Sequence, residues 1–209
     1  MARNLVFFLP CALGFLGLFT ARFMGDGTAG YYAATLFTAA VYASAWWVWG
    51  RRDMLTCRRV GRDIAVGVGL GVTLGAVFVL GATVVSHIPF LADPVTQLLT
   101  ASQRGGLPMT ILVLVMNGIG EELVYRDVVP GQLEKTGLVR GKVALGVASV
   151  GIYTLVTVAM GVPLLLLGAA SLGALCYLLA SNTSRLWAPL AAHLSWSISM
   201  LFLLPLFFH

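Results

Sequence analysis

The residues best suited to chemistry lie in one stretch, Asn117-Gly118-Ile119-Gly120-Glu121-Glu122-Leu123-Val124-Tyr125-Arg126-Asp127. Two adjacent carboxylates, an arginine and a third carboxylate close a run that is otherwise apolar from Leu107. Ionisable side chains at membrane depth are costly and mark functional sites by default. Glu122 and Arg126, four apart on a helix, face one another and can pair, acid N-terminal to base. Glu121 is rotated about 100° from Glu122 and is left to point into a cavity between helices. One glutamate held by arginine and one available is what a buried general base needs. Desolvation disfavours the charged form of a carboxylate and a nearby cation favours it. A group balanced between the two can take a proton from water near neutral pH.

The elements that must position this stretch are membrane helices. Of 209 residues, 59% are hydrophobic and 10% charged, and the mean hydropathy is +0.92. A soluble domain carries roughly 25% charged residues. The composition therefore predicts an all-α polytopic membrane bundle of seven spans, with no room for a separate soluble domain. The expected spans are residues 5–21, 31–49, 64–85, 107–129, 143–159, 164–180 and 188–208. Residues 1–106 hold the first three and a polar connection, residues 107–209 the last four, in one membrane domain. Pro130-Gly131 is expected to stop the fourth span, and residues 87–106 to form a polar connection with a short interfacial helix. Leu5 to Ala21 lacks an obvious cleavage site and reads as a retained first span.

Five arginines between residues 51 and 62 mark a cytoplasmic loop. With seven spans and the N terminus inside, the inner ends receive Arg3, Arg51, Arg52, Arg58, Arg59, Arg62, Arg126, Lys135, Arg140, Lys142 and Arg185, and the outer side only Arg22 and Arg104. This asymmetry predicts N-in, C-out, and accounts for the net charge of +5 without nucleic acid. Trp46, Trp47 and Trp49 sit where an interfacial belt is expected. Gly67, Gly71 and Gly75 give the third span a small face for close helix packing. Cys11, Cys57 and Cys176 form no CxxC pair, and Cys11 and Cys176 read as small buried hydrophobes. His87 reads as an interface residue.

The segment Glu121-Glu122-Leu123-Val124-Tyr125-Arg126-Asp127 resembles the first motif, EExxxR, of the CAAX protease and bacteriocin-processing family of intramembrane glutamic endopeptidases. Leu186-Trp187-Ala188-Pro189-Leu190-Ala191-Ala192-His193 resembles that family's approach to its last motif, and residues 168–179 the helix between its second and third motifs. The resemblance covers about residues 107–201. Two motif positions depart from it. The second motif, Phe-x-x-x-His, is matched by Tyr153-Thr154-Leu155-Val156-Thr157, with threonine in place of histidine. The third, His-x-x-x-Asn or Asp, is matched by His193-Leu194-Ser195-Trp196-Ser197.

The resemblance implies that Glu121 activates water, that Glu122 and Arg126 shape the site, and that His193 is its polar partner, with Tyr153, Thr157 and Ser197 in support. Threonine and serine donate hydrogen bonds but are not bases near pH 7. Asp127, Asn117 and Ser197 are candidates to line the same cavity. Zinc is conceivable with Glu121, Glu122 and His193, but three or four well-placed ligands are usual and no HExxH is present, so a metal-free mechanism is expected. The implied substrate is a membrane-anchored or hydrophobic-tail peptide, met in the bilayer of a bacterial cytoplasmic membrane. The alternative is a family member with a degraded site that binds a membrane peptide or partner as an immunity or assembly factor. A transporter is disfavoured, because the ionisable residues cluster in one half and no inverted repeat is visible.

Overall fold

The computed structural model describes residues 5–25, 27–56, 59–104 and 106–207. Arg3, Cys57, Arg58 and residue 208, the end of the last expected span, lie outside them. The described residues fold into helices without a strand: α1 (Leu9–Met24), α2 (Ala29–Trp49), α3 (Val60–Val85), α4 (Pro89–Arg104), α5 (Leu107–Leu123), α6 (Val129–Thr136), α7 (Lys142–Thr157), α8 (Pro163–Thr183) and α9 (Trp187–Leu203). Among the described residues, six helical stretches are long and apolar enough to cross a membrane: Val6–Met24, Val60–Val85, Leu107–Thr136, Lys142–Met160, Pro163–Thr183 and Trp187–Leu206. Helix α2, the second expected span, is not among them. It is 21 residues long, but its tyrosines, tryptophans and threonines dilute its apolar content.

Neighbouring helices close a ring: α1 packs on α2, α2 on α5, α5 on α9, α9 on α8, α8 on α7, and α7 on α1. Helix α2 thus fills a place in the bundle despite its lower hydropathy. Helix α3 lies outside the ring, against α9. Its glycine face is the reason the two approach so closely. A Cβ at Gly67 would lie 2.2 Å from the Ala188 carbonyl oxygen, and one at Gly71 2.3 Å from that of Ala192. Without hydrophobic drive between helices in lipid, such backbone proximity supplies the packing.

Two expectations are corrected. The connection at residues 87–106 is not mainly loop, because Pro89–Arg104 is a helix of 16 residues. Its Ala92, Val95 and Leu99 are buried with Ala82 and Val162, so it closes one end of the bundle. Nor does the chain stop at Pro130. A π-helical turn, Val124–Val128, carries α5 into α6 without a break, and the helix ends at Gly137 in a left-handed conformation with φ 70°. The π register appears in the Val129 N–H, which donates to the Val124 carbonyl five residues back. A proline ring clashes with the carbonyl four residues back in an α-helix and lacks a donor. The widened turn just before Pro130 relieves that conflict.

The π turn sits inside the ring, touching α2, α7 and α8. Five consecutive residues cannot share one face of an exposed helix, yet Val124, Tyr125, Arg126, Asp127 and Val128 are all at most 2% exposed. A segment buried all round belongs in the centre of a bundle. On the motif side, residues 51–55 form a strap across the ring. The Leu186 N–H donates to the Met54 carbonyl at 3.0 Å, and the Trp187 indole N–H to the Leu55 carbonyl at 2.9 Å.

Candidate active site

Glu122 and Arg126 form the expected i,i+4 pair. Arg126 Nη2 donates to Glu122 Oε1 at 3.2 Å, Arg126 Nε lies 3.2 Å from Oε2, and neither side chain has any exposure. The guanidinium carbon also stands 4.8 Å over the Tyr153 ring, a cation–π contact strengthened by desolvation. A buried pair is not itself strong evidence for stability, but removing one member strands a charge. Here the pair has a third member from another helix, since His193 Nδ1 is 2.8 Å from Glu122 Oε1.

That contact orients the imidazole. With Glu122 ionised against Arg126, His193 donates through Nδ1–H, and Nε2 turns to the other side of the ring. Nε2 lies 3.8 Å from Glu121 Oε2. The separation is too long for a direct hydrogen bond, and suits one water bonded to both atoms. Tyr153 donates its hydroxyl to the same Glu121 oxygen at 2.7 Å. Glu121 keeps 15% of its side chain exposed, against 0% for Glu122 and 1% for Asp127. Of the three acids, it alone retains access.

Helices α5, α7 and α9 and the π turn thus bring together Glu121, Glu122, Arg126, Tyr153 and His193. Thr157 does not join them: its hydroxyl donates to the Tyr153 carbonyl of its own helix at 2.9 Å. It braces the tyrosine instead of facing the carboxylate. Ser197 lies one turn beyond His193 and lines a cavity of about 300 Å³ together with Asn117, one turn before Glu121. Asp127 does not line it. Its Oδ2 accepts from the Trp46 indole N–H at 2.9 Å and the Arg51 backbone N–H at 2.7 Å, and its Oδ1 accepts from Arg51 Nε at 2.7 Å. Asp127 ties the strap to the π turn.

The acids and imidazole do not fit a zinc ion. Among the described residues no three His, Cys, Asp or Glu side chains are grouped to hold a metal ion, and Glu122 is spent on Arg126 and on His193 Nδ1. Catalytic zinc needs three protein ligands. Three features escaped the sequence reading: the π turn, the Tyr153 hydroxyl on Glu121, and the strap. The first had a signal, a proline within a continuing apolar pattern. The Tyr153 bond spans 32 positions and the strap's bonds 76 or more, and no local pattern shows them.

Fold and site together define an all-α integral membrane protein with a carboxylate–histidine centre buried between its helices. Residues 103–199, a little under half of the chain, match the sequence model of the type II CAAX prenyl endopeptidase Rce1-like family. The match bears out the resemblance to the CAAX protease and bacteriocin-processing family over the C-terminal half of the chain. That family is one of proteases. No curated protein and no solved structure matches the chain significantly.

Proposed function

We propose that the chain is an intramembrane glutamic endopeptidase that cleaves a membrane-associated or hydrophobic-tail peptide. The observation that carries this reading is the opposition of Glu121 Oε2 and His193 Nε2 across 3.8 Å, each fixed by a further partner. Glu121 takes a proton from the water held between them as the water oxygen bonds to the scissile carbonyl carbon. The carbonyl oxygen becomes an oxyanion beside the donors of the site. When the C–N bond breaks, the same proton passes from Glu121 to the departing nitrogen, so the carboxylate is restored. Glu122 and Arg126 hold His193 in the orientation that faces Glu121, and Tyr153 fixes the Glu121 rotamer. The basic loops orient the chain N-in and C-out in a cytoplasmic membrane, with Glu121 near the inner face.

The test is cleavage of co-expressed, tagged membrane-tail candidates by wild type, Glu121→Gln and His193→Ala at matched protein levels. Loss of the base should lower turnover about 10²–10⁴-fold. The commitment of Thr157 to its own helix favours a second reading, a binder that holds the peptide uncut. Capture of the same peptide by wild type and by both variants, with no cleavage by any, would replace the protease reading with that one.

A further inference from the structure

Next to the Glu121–His193 pair lies the cavity of about 300 Å³. Asn117 and Glu121 are one turn apart on α5, as are His193 and Ser197 on α9, so the cavity begins one helical turn, about 6 Å, from the acid and the imidazole. Its walls are mostly apolar, with contributions such as Leu114, Val113, Phe78 and Met200. Two wall residues break that character. Asn117 is 8% exposed, and its Nδ2 donates to the Thr35 carbonyl at 3.2 Å and to the Val113 carbonyl at 2.9 Å. Those bonds fix which end of the amide is oxygen, and that oxygen is buried without a hydrogen-bond partner. Trp196, also 8% exposed, lines the same cavity, and its indole N–H is likewise buried and unpartnered.

A buried acceptor and a buried donor left unmatched are each destabilising. Native structures carry few such groups, and a functional role is one explanation for them. A secondary amide offers the complement of this pair, an N–H for Asn117 Oδ1 and a carbonyl for Trp196 Nε1. We propose that the cavity binds an extended, apolar stretch of the peptide substrate beside the scissile bond, with one peptide unit held between Asn117 and Trp196. This assignment rests on the protease reading. A helical substrate cannot bind this way, because its backbone groups are already bonded to one another and a helix about 10 Å across exceeds the space. The substrate must unwind here, and the two unmatched wall atoms repay part of that cost. Because neither atom is reached by a water-sized neighbour, the wall must part at both positions as the peptide enters. Charged side chains are refused, since among the described residues no charged one lines the cavity.

The test uses the full chain in detergent and two probes: N-acetyl-leucyl-leucine methylamide, and the analogue whose Leu–Leu amide N–H is replaced by an ester oxygen. Binding is measured calorimetrically with wild type, Trp196→Phe, Asn117→Leu and Glu121→Gln. Wild type and Glu121→Gln should bind the amide about five- to tenfold more tightly than the ester. Trp196→Phe keeps an aromatic ring without the N–H and should weaken both probes about fivefold. Asn117→Leu should no longer distinguish amide from ester. Since Asn117 also holds the Thr35 carbonyl, the ester probe on wild type tests its oxygen without touching the fold. No binding, or equal affinity of wild type for the two probes, overturns the clamp, even if cleavage proves to depend on Glu121. The predicted discrimination without any cleavage by wild type retains the clamp and removes the protease reading.

Discussion

Asp127→Ala should destabilise the protein and slow its chemistry, whereas Asp127→Asn should do much less of either. The carboxylate is 1% exposed and accepts three hydrogen bonds, from the Trp46 indole, the Arg51 amide and the Arg51 guanidinium. Alanine removes both acceptor oxygens and with them all three bonds. The guanidinium belongs to a side chain 45% exposed, so it returns to water at little cost. The indole and the backbone amide are partly buried and lose the acceptor they share, at about 1–1.5 kcal/mol each, the low end of the range for stranded donors. The expected total is about 2–3 kcal/mol. Asparagine keeps one oxygen, and both donors share Oδ2, so Asp127→Asn should cost about 1 kcal/mol. The strap's far end is held by Leu186 and Trp187 at the start of α9, the helix that carries His193. Trp187→Phe deletes one of those bonds. It should therefore couple to Asp127→Ala by at least about 0.5 kcal/mol in a double-mutant cycle. The assay is reversible unfolding in one detergent, with turnover on the same samples. A cost below about 0.5 kcal/mol for alanine, or equal costs for alanine and asparagine, would refute the reasoning from geometry.

Three further outcomes are expected. Arg126→Met strands Glu122 in a fully buried site and should cost about 3–5 kcal/mol, and Arg126→Met with Glu122→Leu should recover much of that in the unfolding assay while leaving the protein inactive. Tyr153→Phe deletes only the hydroxyl on Glu121; turnover should fall about tenfold or more with unfolding changed by no more than about 1.5 kcal/mol. Gly71→Ala must separate α3 from α9, because its Cβ would meet the Ala192 carbonyl at 2.3 Å, whereas Gly69→Ala meets nothing within 4 Å; unfolding should show the first destabilising and the second neutral or stabilising by up to about 1 kcal/mol.

The chemistry-bearing stretch was legible because its logic is local. Four-residue spacing on a helix is enough to pair Glu122 with Arg126 and to leave Glu121 apart. The all-helical class was legible from hydropathy, and the glycine face of α3 from its four-residue period. Where the reading failed, two local rules competed. Pro130 stops a helix in most settings, but here the bundle interior keeps the helix bonded and the π turn absorbs the ring. Residues 87–104 are polar enough to suggest loop, yet Ala92, Val95 and Leu99 form an apolar face at helical spacing. Helix α2 met its place in the ring through packing on α1 and α5, which composition does not register. The destination of Asp127 was hidden for a different reason. Its partners lie before α3, and a carboxylate at the end of a span looks the same whether it lines a cavity or holds a strap.

The substitution of threonine for histidine at position 157 is better understood from what the neighbouring positions do. A histidine there would present a ring one turn along α7 from Tyr153, on the face that now carries the threonine hydroxyl back to the Tyr153 carbonyl. With threonine, the donor that reaches Glu121 comes from position 153 itself, where the family's motif has phenylalanine and this chain has a tyrosine hydroxyl at 2.7 Å. The two departures are therefore complementary. One removes a side chain from the site, and the other adds a polar group to the same carboxylate from the same helix. A phenol ordinarily stays protonated near neutral pH, so it can donate to Glu121 in the resting site and follow the negative charge as it moves to the oxyanion. It cannot serve as the base, so the proposed mechanism assigns the proton to Glu121, with His193 opposite it. Restoring histidine by Thr157→His should raise turnover only if that face of α7 is open to substrate. If Tyr153 has taken over the donor role, the histidine variant should gain little in a wild-type background, and most in Tyr153→Phe.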